Sequence, residues 1–287
     1  MSHSSSVSAA DDKNDLHPLS DTSFLSHIML KVPSVDATVK YWTDKGGTIR
    51  AFRAKDENEA ANGSIELRSA FVELGCLKGS SSKKNIDSNN KSDEKPVSFA
   101  LELVSTSAAN KQDSYSIGNA LSYIGVSMLL QFQNNLLGAI TGESPKEQGN
   151  EPNGIPVQSS ASAPGDLLAR IAFRSRDLSL THDFYTTILG MNAKAQDDEM
   201  VCLRYDNACF KGGVPTTLVF EKEEGEIDVG DCFDHLVIAT KASIEDLYSR
   251  LQGQQGTKIF MKPTEMFGKK VLGLIDPNGY KVIIASA

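Results

Sequence analysis

The 287-residue chain is 40% hydrophobic and 23% charged, the balance of a soluble globular protein long enough for one large domain or two small ones. Its formal net charge of −8 argues against general binding to nucleic acid or anionic membrane, which needs a basic surface. No apolar run approaches the roughly 18 to 20 residues of a bilayer span, and Cys76, Cys202, Cys209 and Cys232 show no CxxC spacing, so reduced thiols in a cytoplasmic protein are expected.

Residues 1–22 are polar and Ser-rich and read as a disordered tail. They lack the basic flank and apolar core of a secretory signal, and Asp11, Asp12 and Asp15 oppose an Arg-rich transit peptide. Phe24 to Val32 is the first predicted strand, with His27 inside it. Ser34 starts a short helix carrying Val39, Tyr41 and Trp42, which Gly46-Gly47 ends. A strand from Ile65 to Leu74 leads into a Ser-, Lys-, Asn- and Asp-rich insert at 78–95, too polar to bury. Val97 to Val104 is again a strand and holds Glu102 in apolar company.

The next stretch is thinner. Leu121 to Met128 reads as a strand and Leu129 to Ile140 as a helix, but residues 141–165 contain little apolar material. Glu151-Pro-Asn-Gly154 is a turn, and Pro156 predicts that Ile155 to Gln158 pairs poorly. The pattern then restarts. Leu167 to Phe173 is a strand, Asp177 opens a helix that Gly190 ends, and Met200 to Tyr205 and Thr216 to Glu221 are strands. This repetition of the first hundred residues points to an internal repeat.

The last block is the most regular. Cys232 to Thr240 alternates as a strand around His235, and Ser243 to Gln252 places Ile244, Leu247, Tyr248 and Leu251 on one helix face. Strands follow at Lys258 to Met261, Val271 to Ile275 and Tyr280 to Ile284, the last two separated by the turn Asp276-Pro-Asn-Gly279.

His235 in its strand, the helix, Lys262-Pro263 and the Asp276-Pro-Asn-Gly-Tyr280 turn resemble the glyoxalase I branch of the vicinal-oxygen-chelate superfamily. The resemblance implies an α+β fold of paired βαβββ modules in a fused, two-domain form. An N-terminal domain would span 23–140, a degenerate linker 141–165, and a C-terminal domain 166–287. Metal sites would form where module one meets module four and where module two meets module three, with the modules pairing inside one monomeric chain.

For the first pairing the resemblance supplies His27, Glu102 and His235 as ligands of a divalent metal, Zn or Ni first, with Glu102 also as catalytic base. The fourth position is Ile283, which carries no ligand atom. For the second pairing it supplies Tyr123, Gln158, Arg170 and Glu221, where the fixed charge of Arg170 opposes a cation. Lys31 and Lys262 stand where substrate contacts are expected, and His3, His17 and His182 receive no role. The implied reaction is isomerisation of the methylglyoxal–glutathione hemithioacetal. Ile283 and the thin second module keep two alternatives open: a catalytically inactive binding protein, and an Fe(II) dioxygenase using the two histidines and one carboxylate.

Overall fold

The computed structural model describes residues 17–53, 67–74, 99–106, 115–127, 151–160, 168–207 and 214–287. The polar insert at 78–95, the helix expected at 129–140, Cys76 and Cys209 lie outside them. Module one comprises β1 (Ser23–Lys31), α1 (Val35–Asp44), β2 (Thr48–Arg53), β3 (Leu67–Glu73) and β4 (Ala100–Thr106). Module two contributes β5 (Leu121–Ser127) and β6 (Val157–Ser160). Module three holds β7 (Leu168–Ser175), α2 (Leu178–Asp183), β8 (Asn192–Gln196), β9 (Met200–Arg204) and β10 (Thr217–Lys222). Module four holds β11 (Phe233–Thr240), α3 (Ile244–Leu251), β12 (Lys258–Met266), β13 (Lys269–Ile275) and β14 (Lys281–Ser286).

Each helix starts for a local reason. The side chains of Ser34, Asp177 and Ser243 accept hydrogen bonds from the backbone N–H groups of Ala37, Leu180 and Asp246, satisfying donors the first helical turn leaves open. In α1, Val35, Thr38, Val39 and Trp42 are buried at helical spacing. A π-turn over Phe184–Ile188 extends α2 and turns Phe184, Tyr185 and Ile188 into the core.

Among the described residues two sheets carry the fold, and each draws on both halves of the chain. The eight-stranded sheet runs β12-β13-β14-β11-β1-β4-β3-β2, joining module four to module one. The six-stranded sheet runs β6-β5-β7-β10-β9-β8, joining module two to module three. One continuous apolar core, including fully buried Trp42, Tyr185, Tyr205 and Tyr280, spans both.

The turns bind the modules the other way. In Asp276-Pro-Asn-Gly279 the buried carboxylate accepts from the N–H groups of Asn278 and Tyr280, and the Asn278 amide donates to Thr181 of α2 at 2.9 Å. In Glu151-Pro-Asn-Gly154 the buried carboxylate accepts from the N–H of Asn153, whose amide donates to Thr38 of α1 at 3.2 Å. Gly154 and Gly279 close these turns at φ of 91° and 93°, where a side chain would be strained. So sheets join modules one to four and two to three, while turns join two to one and four to three.

Three expectations need correction. The polar tail is shorter than expected: Leu19 is fully buried, and the hydroxyls of Thr22 and Thr240 lie 3.3 Å apart. Pro156 does not abolish pairing, because it precedes β6, whose Val157 to Ser160 pair with β5 at the sheet margin, where the missing N–H is harmless. Strands β2 and β8, which a βαβββ module requires, were not placed on any residues by the sequence pattern; each is a sheet edge, and every residue of β8 is exposed.

Burial pushes the Glu151 carboxyl up to about 7 and that of Asp276 up to about 6. A carboxyl that binds its proton more tightly in the folded state stabilises most when protonated. For Glu151 that contribution is lost as pH rises from its ordinary 4.5 through about 7. Glu151→Gln should therefore match the wild type in stability near pH 4.5 and exceed it increasingly up to pH 8, by on the order of 2 kcal/mol. Thermal melts at a series of pH values check this, and a difference independent of pH would contradict it.

Candidate metal centre

The centre lies on one face of the eight-stranded sheet and follows from strand register. Side chains of residues directly opposite each other across a sheet share a face. His27 of β1 is opposite Val237 of β11, which is opposite Ile283 of β14, which is opposite Gly273 of β13. The neighbouring row runs from Phe71 of β3 through Glu102 of β4 and Met29 of β1 to His235 of β11. Exchanging β1 with β11 exchanges His27 with His235, Met29 with Val237, and Glu102 with Ile283. Ile283 thus holds the position symmetric to Glu102.

His27, Glu102 and His235 are each half-buried, and their ligand atoms all lie within 4.8 Å of one another. His27 Nε2 is 3.3 Å from Glu102 Oε2. Ligands held at about 2.0–2.2 Å in a tetrahedral or facial set lie roughly 3.0–3.6 Å apart, a spacing the 3.3 Å pair of His27 and Glu102 already has. Two imidazoles and one carboxylate are a donor set that fits Zn, Ni, Mn or Fe(II). His27 also packs its ring edge-on against Phe71, centroid to centroid 5.4 Å.

Two residues absent from the sequence reading orient the imidazoles. Between Leu25 and His27 the register of β1 against β11 slips by one, leaving Ser26 as an extra residue. Between Met29 and Leu30 it slips again, this time leaving Asp234 extra on β11. Such bulges re-aim a side chain that strict alternation would send to the opposite face. Each histidine is thus preceded by a bulge residue that reaches its Nδ1: Ser26 Oγ lies 3.0 Å from His27 Nδ1, and Asp234 Oδ2 lies 2.7 Å from His235 Nδ1.

The Asp234 carboxylate only accepts, so His235 Nδ1 donates and its Nε2 lone pair is left for the centre. The bond from His235, reinforced by Lys31 against the desolvation cost, holds the Asp234 carboxyl well below the usual carboxylate range. Lys31 Nζ meets Asp234 Oδ1 at 2.8 Å, so that lysine is engaged in supporting the ligand shell. Lys262 is exposed on β12, four strands from β1 in the sheet.

The six-stranded sheet assembles the second set differently. Gly125 sits opposite both Arg170 and Gln158, and a side chain there would press on Arg170. Tyr123 accepts a hydrogen bond from Arg170; burial, then the Glu221 charge, raises its hydroxyl above the ordinary range. Glu221 accepts from Ser122 Oγ at 2.7 Å. The Arg170 guanidinium, bound to Tyr123, adds a fixed positive charge to this set, which opposes a cation. Among the described residues, His27, Glu102 and His235 form the metal-competent group.

No family model matches the chain, and no curated protein matches it. Solved structures do. A glyoxalase I mutant from Zea mays superposes with a TM-score of 0.66 at 20% identity, covering 92% of this chain and 94% of that one. Glyoxalase I from Zea mays gives 0.65 at 19% identity and 92% of each chain. A candidate dioxygenase from Bacillus subtilis subsp. subtilis str. 168 gives 0.59 at 9% identity, with 93% and 86% covered. At these identities the likeness establishes the fold: paired α+β modules of the glyoxalase type.

Replacing Asp234 by Asn keeps the shape and removes the charge that polarises His235. The variant should bind Zn²⁺ or Ni²⁺ about 10- to 100-fold more weakly with its far-UV spectrum intact. Competition against a chromophoric chelator measures this, and unchanged affinity would deny Asp234 its orienting role.

Proposed function

We propose that the chain is a metal-dependent lyase of glyoxalase I type, isomerising the methylglyoxal–glutathione hemithioacetal to S-lactoylglutathione. The observation that supports it is the convergence of His27, Glu102 and His235, with Ser26 and Asp234 on the two Nδ1 atoms. A bound divalent cation, Zn or Ni in this reading, supplies Lewis-acid stabilisation of oxyanion charge developing on the substrate.

The protein's own part is orientation and proton transfer. His235, fixed by Asp234, and His27, fixed by Ser26, keep their Nε2 atoms on one point. Glu102, half-buried beside His27, takes the proton from the carbon next to the carbonyl and returns it to the neighbouring carbon. It is the carboxylate of the centre, so it serves as ligand and base in turn. Ile283 on the opposite side accepts no proton. Lys31, tied to Asp234, acts on substrate through the ligand shell, and Lys262 acts at the sheet margin.

A second reading rests on the same donor set. Two imidazoles and one carboxylate, with an apolar residue at the symmetric fourth position, match the facial arrangement of non-haem Fe(II) oxygenases. The Bacillus subtilis neighbour shares this fold. Metal-loaded protein separates the readings: lactoylglutathione formation with Zn²⁺ or Ni²⁺ supports the lyase, and oxygen uptake by the Fe(II)-loaded protein supports the oxygenase. Metal binding with neither activity leaves a binding protein.

Ile283→Glu tests the lyase further. A carboxylate there restores a fourth ligand and a second base, so isomerase activity should rise on the order of 10² to 10⁴-fold. Melting temperature should also increase on adding Zn²⁺ or Ni²⁺. A variant that loses stability and ignores metal would remove the centre from consideration, since a carboxylate placed without a cation at this half-buried apolar position is destabilising.

A further inference from the structure

Residues 17–22 form a strap ahead of β1. The Ser20 N–H donates to the His17 carbonyl at 2.8 Å, Leu19 is fully buried in the main core, and the Lys241 N–H donates to the Thr22 carbonyl at 3.0 Å. At its far end His17 rests on Gly190, which ends the π-turn after α2. Gly190 has a φ of 69°, and a side chain there would come within 2.3 Å of His17 Nδ1. The same ring reaches Arg250 of α3, so a segment that leads into module one is anchored on modules three and four.

The contact with Arg250 fixes the protonation of the ring. A guanidinium only donates, and its Nη2 lies 2.5 Å from His17 Nε2. Nε2 must therefore offer a lone pair; a proton there would set two charged donors against each other. Burial first, and then the Arg250 charge, hold the imidazole below its ordinary 6.5, while a hydrogen bond with the Thr187 backbone pulls the other way. No carboxylate relieves the conflict. Among the described residues the histidines within ion-pair distance of an acid are His27, His182 and His235. On the α2 side His182 and Asp183 pair with each other. Glu245 and Asp246 lie at the opposite end of α3 from Arg250, and Asp21 on the strap itself makes no ion pair with the ring.

We propose that the strap is a pH-sensitive latch: on gaining a proton His17 parts from Arg250, and residues 17–22 leave modules three and four. The docked form excludes the proton. Docking is therefore insensitive to pH above about 6.5 and weakens about tenfold for each unit below it, until the docked ring itself takes up the proton. Release draws Leu19 out of the core and loosens the leading end of β1, which begins at Ser23, four residues before His27. The latch needs no metal and stands apart from the proposed reaction.

Hydrogen exchange of the full chain, read by mass spectrometry from about pH 8 to about pH 5 and corrected for its intrinsic pH dependence, tests the latch. Exchange in the peptide covering residues 17–22 should stay constant down to about pH 6.5 and then rise about tenfold per unit, while β10 stays protected. His17→Gln, whose side-chain carbonyl accepts from Arg250 without titrating, should flatten that rise. Arg250→Gln removes the repulsion and should reduce it. A wild-type strap whose protection ignores pH overturns the latch. So does a rise that persists undiminished in either variant, or one that β10 shares, which is global unfolding.

Discussion

The antiparallel pairing of β1 with β11 is the constraint on which the rest depends. It brings the first strand of module one against the first strand of module four, with Met29 opposite His235. Parallel pairing then extends the sheet on both sides, β4 against β1 and β14 against β11. The metal-competent residues come from three of these four central strands, so no single module could assemble them. Two one-residue slips within that pairing also decide what supports the imidazoles. A perfectly regular ladder would send Ser26 and Asp234 to the far face and leave both Nδ1 atoms without them.

Much of this architecture was legible in the sequence because the buried strands alternate strongly and the turns are chemically explicit. His27, Glu102 and His235 could be named from the family resemblance, and the register brings their ligand atoms together. The edge strands β2 and β8 escaped notice for a physical reason. An edge strand need not bury a face, so Asn192 to Gln196 carries no apolar alternation to read. Ser26 and Asp234 escaped for another. A bulge is a property of two strands in register, and neighbouring residues on one strand are expected to face apart. Leu19 shows a third limit, since one buried leucine within a polar stretch leaves no periodic signal.

The two sheets show how one plan diverges through single residues. In the eight-stranded sheet a carboxylate at Glu102 and an aliphatic side chain at Ile283 occupy symmetric places. In the six-stranded sheet Arg170 occupies a place corresponding to a histidine, and the neighbouring groups turn to hydrogen bonding with one another. The turns have diverged less. Glu151 and Asp276 differ by one methylene, yet each closes its loop with the following backbone amides and sends an asparagine to a helix threonine. Structural fastening has therefore kept its chemistry while the face available for binding has changed.

The pairing of β1 with β11 also sets an order of events during synthesis. Met29 and His235 are separated by about two hundred residues, so ribosomes adding roughly 5–20 residues per second expose β1 for about ten to forty seconds before its partner exists. During that interval β1 can pair with β4 on one side, but its other edge offers unpaired N–H and C=O groups beside Phe24, Ile28 and Leu30. An open apolar edge is a template for pairing with another nascent chain. The strand that founds the centre is thus also the place where the half-made protein is most exposed to misassembly.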